Sequence, residues 1–446
     1  MKVKVVESTE NKLWLEKEFR CLNKNEDNSF ILSITDKLER EFYGFGSCAN
    51  ELGIKALRNL SNDNQEKILM DLFSESGDQY FKYCRLPIGA NDYAENWYSY
   101  NETDDDYEMV NFSIERDKKY IIPYIKDILK INPEIIFCAS PWSPPTWMKT
   151  HKVHNSGYIR DEHEIYEAYA LYLVKYVQAY EKEGIHIHQI HVQNEWVSNH
   201  VFPSCKWTGE QLRKFIANYL GPSFEKYNIK SEIWLGTCNA PHPRIEWKEK
   251  RTEDFDAYAG LILEDTEAYQ YISGVGYQWA GRDGIQKNVE SYPELQYLQT
   301  ECECGDGENT WFYMQYIFNT IRHYIRNGAN GFLYWNAILE IGGESTWGSN
   351  QNSMITINSK EKSFEYQYEY YLLKHFSHFT QKGANRIETK GPHTANTIAF
   401  RNPDGSTVVI LSNRKDSERV LKLRYKEEVI SINMNANSIT TIYLED

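Results

Sequence analysis

The sequence predicts an α/β fold: a (β/α)8 TIM barrel with a side antiparallel β-domain built from both chain termini. Three observations predict it. Between about residue 42 and residue 336, strand-like apolar runs alternate with segments of helical spacing, and eight such runs can be counted. Two of the runs end in a glutamate: Ile185 to Val192 leads into Gln193-Asn194-Glu195, and Leu295 to Leu298 leads into Gln299-Thr300-Glu301. After about residue 365 the alternation stops, and short strand patterns separated by turn residues take over. A chain of 446 residues is long enough for one large barrel and a smaller domain.

The elements follow in order. Residues 1 to about 40 alternate apolar and polar at Val3, Val5, Phe30, Leu32 and Ile34, with a turn at Asn25-Glu26-Asp27-Asn28, and read as short antiparallel strands. Tyr43-Gly44-Phe45-Gly46 is the first barrel strand, and Glu51 to Leu60 has helical spacing. Phe81 to Pro87 is the second strand. Tyr120 to Leu129 is helical, and Ile135 to Ala139 is the third strand, tipped by Ser140-Pro141-Trp142-Ser143-Pro144-Pro145-Thr146-Trp147. Asp161 to Glu183 is a long Tyr-rich helix before the strand that ends at Glu195. Thr208 is placed to cap the next helix. Glu232 to Gly236 and Ile272 to Tyr277 are strands five and six; the run into Glu301 is strand seven. Trp311 to Arg326 is helical, and Gly331 to Asn336 is strand eight. The pattern from Phe364 to His375 suggests a last aromatic helix. Strands are then expected at Thr397–Phe400, Val408–Leu411, Val420–Leu423, Ile430–Ile432 and Ile439–Ile442, with a hairpin turn at Asn402-Pro403-Asp404-Gly405. The division expected is 1–40 for the N-terminal strands of the β-domain, 41–375 for the barrel and 376–446 for the C-terminal β-domain.

Composition narrows the partners. A net charge of -15 argues against nucleic acid and against anionic membrane surfaces. No window is long and apolar enough for a spanning helix, so no membrane insertion is expected. The first residues lack the apolar core of a secretory signal, and the chain starts with Met. A cytoplasmic protein is expected on that ground, with secretion only if a leader has been removed. Of the 8 cysteines, Cys84, Cys138 and Cys238 fall in apolar runs and read as reduced core residues. Cys302 and Cys304 form the one close pair, but no second pair at metal-binding spacing accompanies them, so no metal is expected. With 12 Trp, 33 Tyr and 19 Phe, aromatics are plentiful, and several Trp sit in polar, loop-like stretches. Sugar rings stack their apolar faces on such side chains.

Carboxylates at the C-terminal tips of barrel strands sit where such barrels place their chemistry. A pair of them, roughly 5 Å apart, is what cleavage of a glycosidic bond with retention requires, one as nucleophile and one as acid and then base. Glu195 and Glu301 are that candidate pair. Most glutamates are merely solvated; here both stand at strand ends, and Asn194 beside Glu195 is a natural donor to a sugar 2-hydroxyl.

Gly44-Phe45-Gly46, Arg85-Leu86-Pro87, Ala139-Ser140-Pro141-Trp142 with the following Ser-Pro-Pro-Thr-Trp-Met-Lys-Thr, Gln193-Asn194-Glu195, Thr300-Glu301-Cys302 and Tyr334-Trp335-Asn336 occur in this order. Together they resemble glycoside hydrolase family 30, and in particular its glucosylceramidase-like branch. His375-Phe376-Ser377-His378-Phe379 and Ser412-Asn413-Arg414 extend the resemblance through the tail. It implies a retaining β-glycosidase with Glu195 as acid/base and Glu301 as nucleophile, and no cofactor. It implies that Asp92 and Trp142 bind the terminal sugar, that Trp335 forms an aromatic platform beneath it, and that Arg85 pairs with a catalytic carboxylate. Tyr277 and Trp279 match the place of an aromatic or His near the nucleophile. Trp196 stands where the family often has Pro, and the loop Gly342-Gly343-Glu344-Ser345-Thr346-Trp347 differs between its Gly pair and its Trp. The implied substrate is a β-glycoside or oligosaccharide, cleaved by an exo-β-glucosidase. The alternatives are an endo-acting β-1,6-glucanase or xylanase, and a non-catalytic carbohydrate-binding protein.

Overall fold

A computed structural model describes residues 1–23, 29–240 and 258–445. Eight parallel strands close into a barrel: Gly44–Cys48, Tyr83–Ile88, Ile136–Pro141, Gln189–His191, Glu232–Cys238, Ile272–Gln278, Gln296–Glu301 and Gly331–Asn336, each beside the next in sequence. All eight strands expected from the sequence are present in the expected order. The fourth is shorter than its apolar run, because regular ladder pairing covers only Gln189 to His191. Extended hydrogen bonds still carry the chain upward, from Val192 N–H to the Trp234 carbonyl and from Gln193 N–H to that of Gly236.

Alternation along the strands builds the barrel interior in layers. Tyr83, Cys138, Trp234, Leu298 and Leu333 form one apolar cluster. Two residues further along the same strands, and so on the same face, stand Arg85, Ser140, Gly236, Thr300 and Trp335. The inward file thus turns from apolar to polar toward the C-terminal mouth. His191, 1% exposed, lies flat on Trp234 at 5.2 Å and occupies space that Gly236 and Gly276 leave open.

Amphipathic helices cover the outside. His163–Lys182 buries Tyr166, Tyr169, Tyr172, Tyr176 and Tyr180 along its inner face. Trp311–Arg326 has the bounds its periodicity predicts. Thr208 caps its helix in a capping box with Gln211. The expected helix from Phe364 is corrected. Ser363–Tyr366 is a strand paired antiparallel with Ile355–Asn358, and the helix is Tyr368–Ser377. Alternating Phe364 and Tyr366 suit a half-buried strand, and Gln367 ends it in extended backbone before the helix begins.

The second domain is a ten-stranded sheet drawn from both ends of the chain. Lys2–Thr9 lies antiparallel to Ser438–Glu445, and Ile31–Phe42 lies antiparallel to Ala384–Lys390. Ile31–Phe42 also runs parallel to Arg419–Tyr425, a departure from the purely antiparallel expectation. Val5, Leu32, Val409, Leu421, Ile432 and Ile442 share its core. The turn expected at residues 25–28 lies outside the described residues. All eight cysteines are free, and Cys84, Cys138 and Cys238 are buried. Among the described residues no helix is long and apolar enough to cross a membrane.

Candidate active site

The site begins with Arg85, delivered by strand two to the barrel interior and 1% exposed. A buried guanidinium needs acceptors for its donors, and it finds them at the ends of strands three and seven and just beyond strand four. Nη1 meets Glu301 Oε2 at 2.5 Å, Nη2 meets Asn194 Oδ1 at 2.6 Å, and Nε and Nη2 both reach Ser140 Oγ. The flat cation also lies 4.6 Å from the Trp142 ring and 5.6 Å from the Trp335 ring.

Gln278, at the tip of strand six, repeats the bridge from the other side. Its Nε2 lies 2.8 Å from Glu301 Oε2 and 2.8 Å from Asn194 Oδ1. One nitrogen therefore holds these two oxygens within twice that distance of each other. Thr237 Oγ1 also donates to Asn194 Oδ1. With three donors on its oxygen, the Asn194 amide is fixed in orientation and its nitrogen is left for another acceptor.

Glu195 follows in a tight turn with φ at +46°. That left-handed conformation is uncommon for a side chain of this size, and strained residues gather at functional sites. Its N–H donates to the Thr237 carbonyl at 3.1 Å, which holds the turn against strand five. The side chain meets His200, with Oε2 at 2.6 Å from Nε2.

Asp92 stands on the loop after strand two and is 4% exposed. Oδ2 accepts a long hydrogen bond from Gln351 Nε2, and Oδ1 is buried without a partner. Gln351 in turn accepts from Trp335 Nε1 and Asn336 Nδ2. Trp142 and Trp335 lie 5.5 Å apart. The loop after strand eight is tied to the Asp92 loop by Tyr93 Oη on the Gly343 carbonyl and Thr346 Oγ1 on the Ala94 carbonyl. Its Trp347 packs 5.1 Å from Phe202, on the loop after strand four. Strands four and eight stand opposite one another in an eight-stranded ring, so these loops meet across the mouth.

Burial pushes the Glu301 carboxyl up to about 7; Arg85 opposes the shift, and the charge of Glu195 adds to it. Burial, then the charge of Glu301, pushes Asp92 up to about 8. Burial would lower His200, but the charges of Glu195, Asp92 and Glu301 together hold it above its ordinary value. Among the described residues no group of His, Cys, Asp and Glu assembles as a metal site.

The structure thus brings together Arg85, Asp92, Trp142, Asn194, Glu195, Glu301 and Trp335. Tyr277 is not among them and is corrected. It faces outward from strand six, packs on Tyr324 and bonds to Asn288 Nδ2, between the barrel wall and its helices. Alternation is the reason: Gly276 and Gln278 face in, so Tyr277 faces out. Trp279 opens a short 3-10 turn just beyond the strand and is half-buried. Gln278, Thr237, Gln351 and His200 were not singled out from sequence. For Gln278 a signal existed in the alternation of the strand; for His200, in an aperiodic loop, there was none.

Comparison with known proteins agrees with this architecture. Residues 42–380 match the Glycosyl hydrolase family 30 TIM-barrel domain, and residues 383–442 match the Glycosyl hydrolase family 30 beta sandwich domain. The lysosomal acid glucosylceramidase of Mus musculus is 27% identical over 92% of this chain and 83% of its own length. An endo-1,6-beta-D-glucanase of Trichoderma harzianum is 25% identical over 93% and 86%. The crystal structure of SrfJ from Salmonella typhimurium shares the fold across 100% of both chains, with a TM-score of 0.89 at 23% identity. The chain belongs to glycosyl hydrolase family 30 and is an O-glycosyl hydrolase.

Proposed function

We propose that the enzyme is a retaining exo-β-glycosidase that removes a terminal sugar, in the first instance glucose, from a β-glycoside. Glu301 is its nucleophile and Glu195 its acid and base. The observation that carries the reading is the pair of bridges, through Arg85 and Gln278, that joins the Glu301 carboxylate to Asn194 next to Glu195. The charge of Glu195 also acts on the Glu301 carboxyl, and carboxyls that near one another favour direct attack by a carboxylate over attack by an intervening water.

In the first step Glu301 attacks the anomeric carbon while the proton on Glu195 passes to the departing oxygen. A glycosyl ester forms and the aglycone leaves as an alcohol. In the second step Glu195, now ionised, takes a proton from water as the water oxygen attacks the same carbon. The ester breaks, and both carboxyls return to their starting states. Arg85 and Gln278 hold the Glu301 anion before attack and after release. The Asn194 nitrogen, freed by the three donors on its oxygen, points to a role at the sugar 2-hydroxyl. Asp92 Oδ1 has no protein partner, which suits an acceptor for hydroxyls of a terminal ring resting on Trp335.

The loops that meet across the mouth through Trp347 and Phe202 favour a blind pocket over an open cleft. The endo-acting reading draws on the resemblance to endo-1,6-beta-D-glucanases. Incubation with a set of 4-nitrophenyl β-glycosides and with a β-1,6-glucan separates the two. The exo reading expects release from one β-glycoside, with the β-anomer of the free sugar appearing first by NMR, and loss of release in Glu195→Ala and Glu301→Ala. Shortening of the glucan to oligosaccharides with no release from any monoglycoside would replace the exo reading. First appearance of the α-anomer would reject retention.

A further inference from the structure

The proton that Glu195 would give and take must sit on one particular oxygen, and the two oxygens have different surroundings. Of the two carboxyl oxygens, Oε2 is engaged by His200 Nε2 at 2.6 Å. The imidazole is itself held. It stacks on Phe202 at 4.3 Å with the planes 15° apart, and Phe202 packs on Trp347 from the opposite loop. His200 N–H donates to Ser204 Oγ, and the Ser204 carbonyl accepts from Lys149 Nζ, a buried cation that also holds Ser143 Oγ and the His154 carbonyl. The ring is therefore fixed from its plane and from its backbone.

We propose that His200 is a positioning residue for this reaction. It donates Nε2–H to Glu195 Oε2 throughout the cycle and so confines the travelling proton to Oε1. The inference rests on Glu195 being the acid and base.

While Glu195 is protonated, a donor already on Oε2 leaves Oε1 as the place for the proton, facing the glycosidic oxygen. When that proton leaves, the same donor stabilises the new carboxylate. In the second step the proton from water returns to Oε1. His200 keeps its own proton on Nε2 at every stage, so the balance of the reaction is unchanged. The charged groups that face the ring are Glu195 on its own loop, Asp92 from the loop after strand two and Glu301 from strand seven, the last already paired with Arg85. Three carboxyls around one imidazole favour a ring that retains its protons.

The test uses wild type, His200→Phe and His200→Gln, with Glu195→Ala as reference. Each is assayed on two β-glycosides of the accepted sugar, one with a 2,4-dinitrophenyl and one with a 4-methylumbelliferyl leaving group. The first departs without a proton; the second needs one. His200→Phe keeps a ring to stack on Phe202 and removes the donor. It is expected to lose about tenfold or more in kcat/KM on the umbelliferyl substrate and far less on the dinitrophenyl one. His200→Gln, with an amide N–H at a similar reach, should restore much of the rate, and thermal melting confirms that both variants fold. An equal loss on both substrates, or no recovery in His200→Gln, would overturn the role of His200. If Glu195→Ala itself loses both substrates equally, the assignment of Glu195 fails, and the inference falls with it. If Glu195→Ala shows the leaving-group difference and His200→Phe does not, only the inference falls.

Discussion

Arg85 carries more of the site than either glutamate. It spans Glu301, Asn194 and Ser140 from inside the barrel, and its removal leaves a buried carboxylate without its cation. Replacement by Met is expected to cost roughly 3–5 kcal/mol of stability, as broken buried ion pairs do. The rate should respond as well. With Glu301 as the proposed nucleophile, the active form needs that carboxyl ionised, and burial already pushes it up to about 7. In wild type kcat/KM should therefore fall as the pH drops through about 7. In Arg85→Met the fall should begin at higher pH, since the group that opposed the shift is gone. A pH profile of both proteins checks the sign, and an acid limb that stays in place would mean that Arg85 does not control Glu301. Glu195, Glu301, Arg85 and Trp335 were legible in the sequence because each stands in or at the end of a patterned strand. Gln278 was obscured by its neighbour. Tyr277 drew notice as an aromatic, yet alternation turns it outward and brings Gln278 in, where the ladder with strand seven shifts register to pair Gln278 with Glu301.

At the scale of elements, the barrel is a fit between large and absent side chains. His191 fills the interior beside Gly236 and Gly276, and a Cβ built on either glycine would stand 2.5 Å from His191 Nδ1. Gly276→Ala is thus expected to destabilise by about 1–3 kcal/mol through overpacking, read as a lower urea midpoint with an unchanged slope. A variant as stable as wild type would show that His191 has room to move. Eight strands and the helix Trp311–Arg326 were legible because their periods are long and regular. The segment after Phe364 was not. Its aromatic residues satisfy a helical period and an alternating one alike, and only pairing with Ile355–Asn358 decides for the strand. The long strand Ile31–Phe42 was likewise seen only in part, because its exposed stretch from Asp36 to Leu38 lacks an apolar rhythm.

At the scale of the whole molecule, four buried carboxyls among the described residues are shifted in the same direction. Burial raises Asp92 to about 8, Glu301 and Glu369 to about 7, and Asp117 to about 6. Asp117 accepts three tyrosine hydroxyls and Glu369 two asparagine amides, which oppose the effect of burial without cancelling it. Each group binds its proton more tightly folded than unfolded, where carboxyls titrate near 4. The stability they contribute is full below about pH 4 and is lost as the pH rises through the folded values. The melting temperature of the unliganded enzyme should therefore decline from mildly acidic pH toward pH 8. Asp92→Asn should melt above wild type at pH 8 and close to it at pH 5, while losing activity on terminal sugars. Equal melting of the two proteins at both pH values would contradict the assignment of a raised Asp92.

The sheet that joins both ends of the chain also imposes a schedule on synthesis. Lys2–Thr9 and Ile31–Phe42 leave the ribosome first, but their partners Ser438–Glu445 and Ala384–Lys390 come last. During translation these two strands wait with open edges while the whole barrel emerges between them. Such edges invite pairing with other chains. Lys4, Lys12, Lys17 and Lys37, on or beside the waiting strands, supply charges that discourage it. The barrel, closed by Gly331–Asn336, can form before the sheet does. A nascent chain halted after the barrel would then hold Glu195 and Glu301 in place while both early strands still lacked their late neighbours, Lys2–Thr9 having only Lys12–Glu16 beside it and each strand keeping an edge that the final stretch of the message must fill.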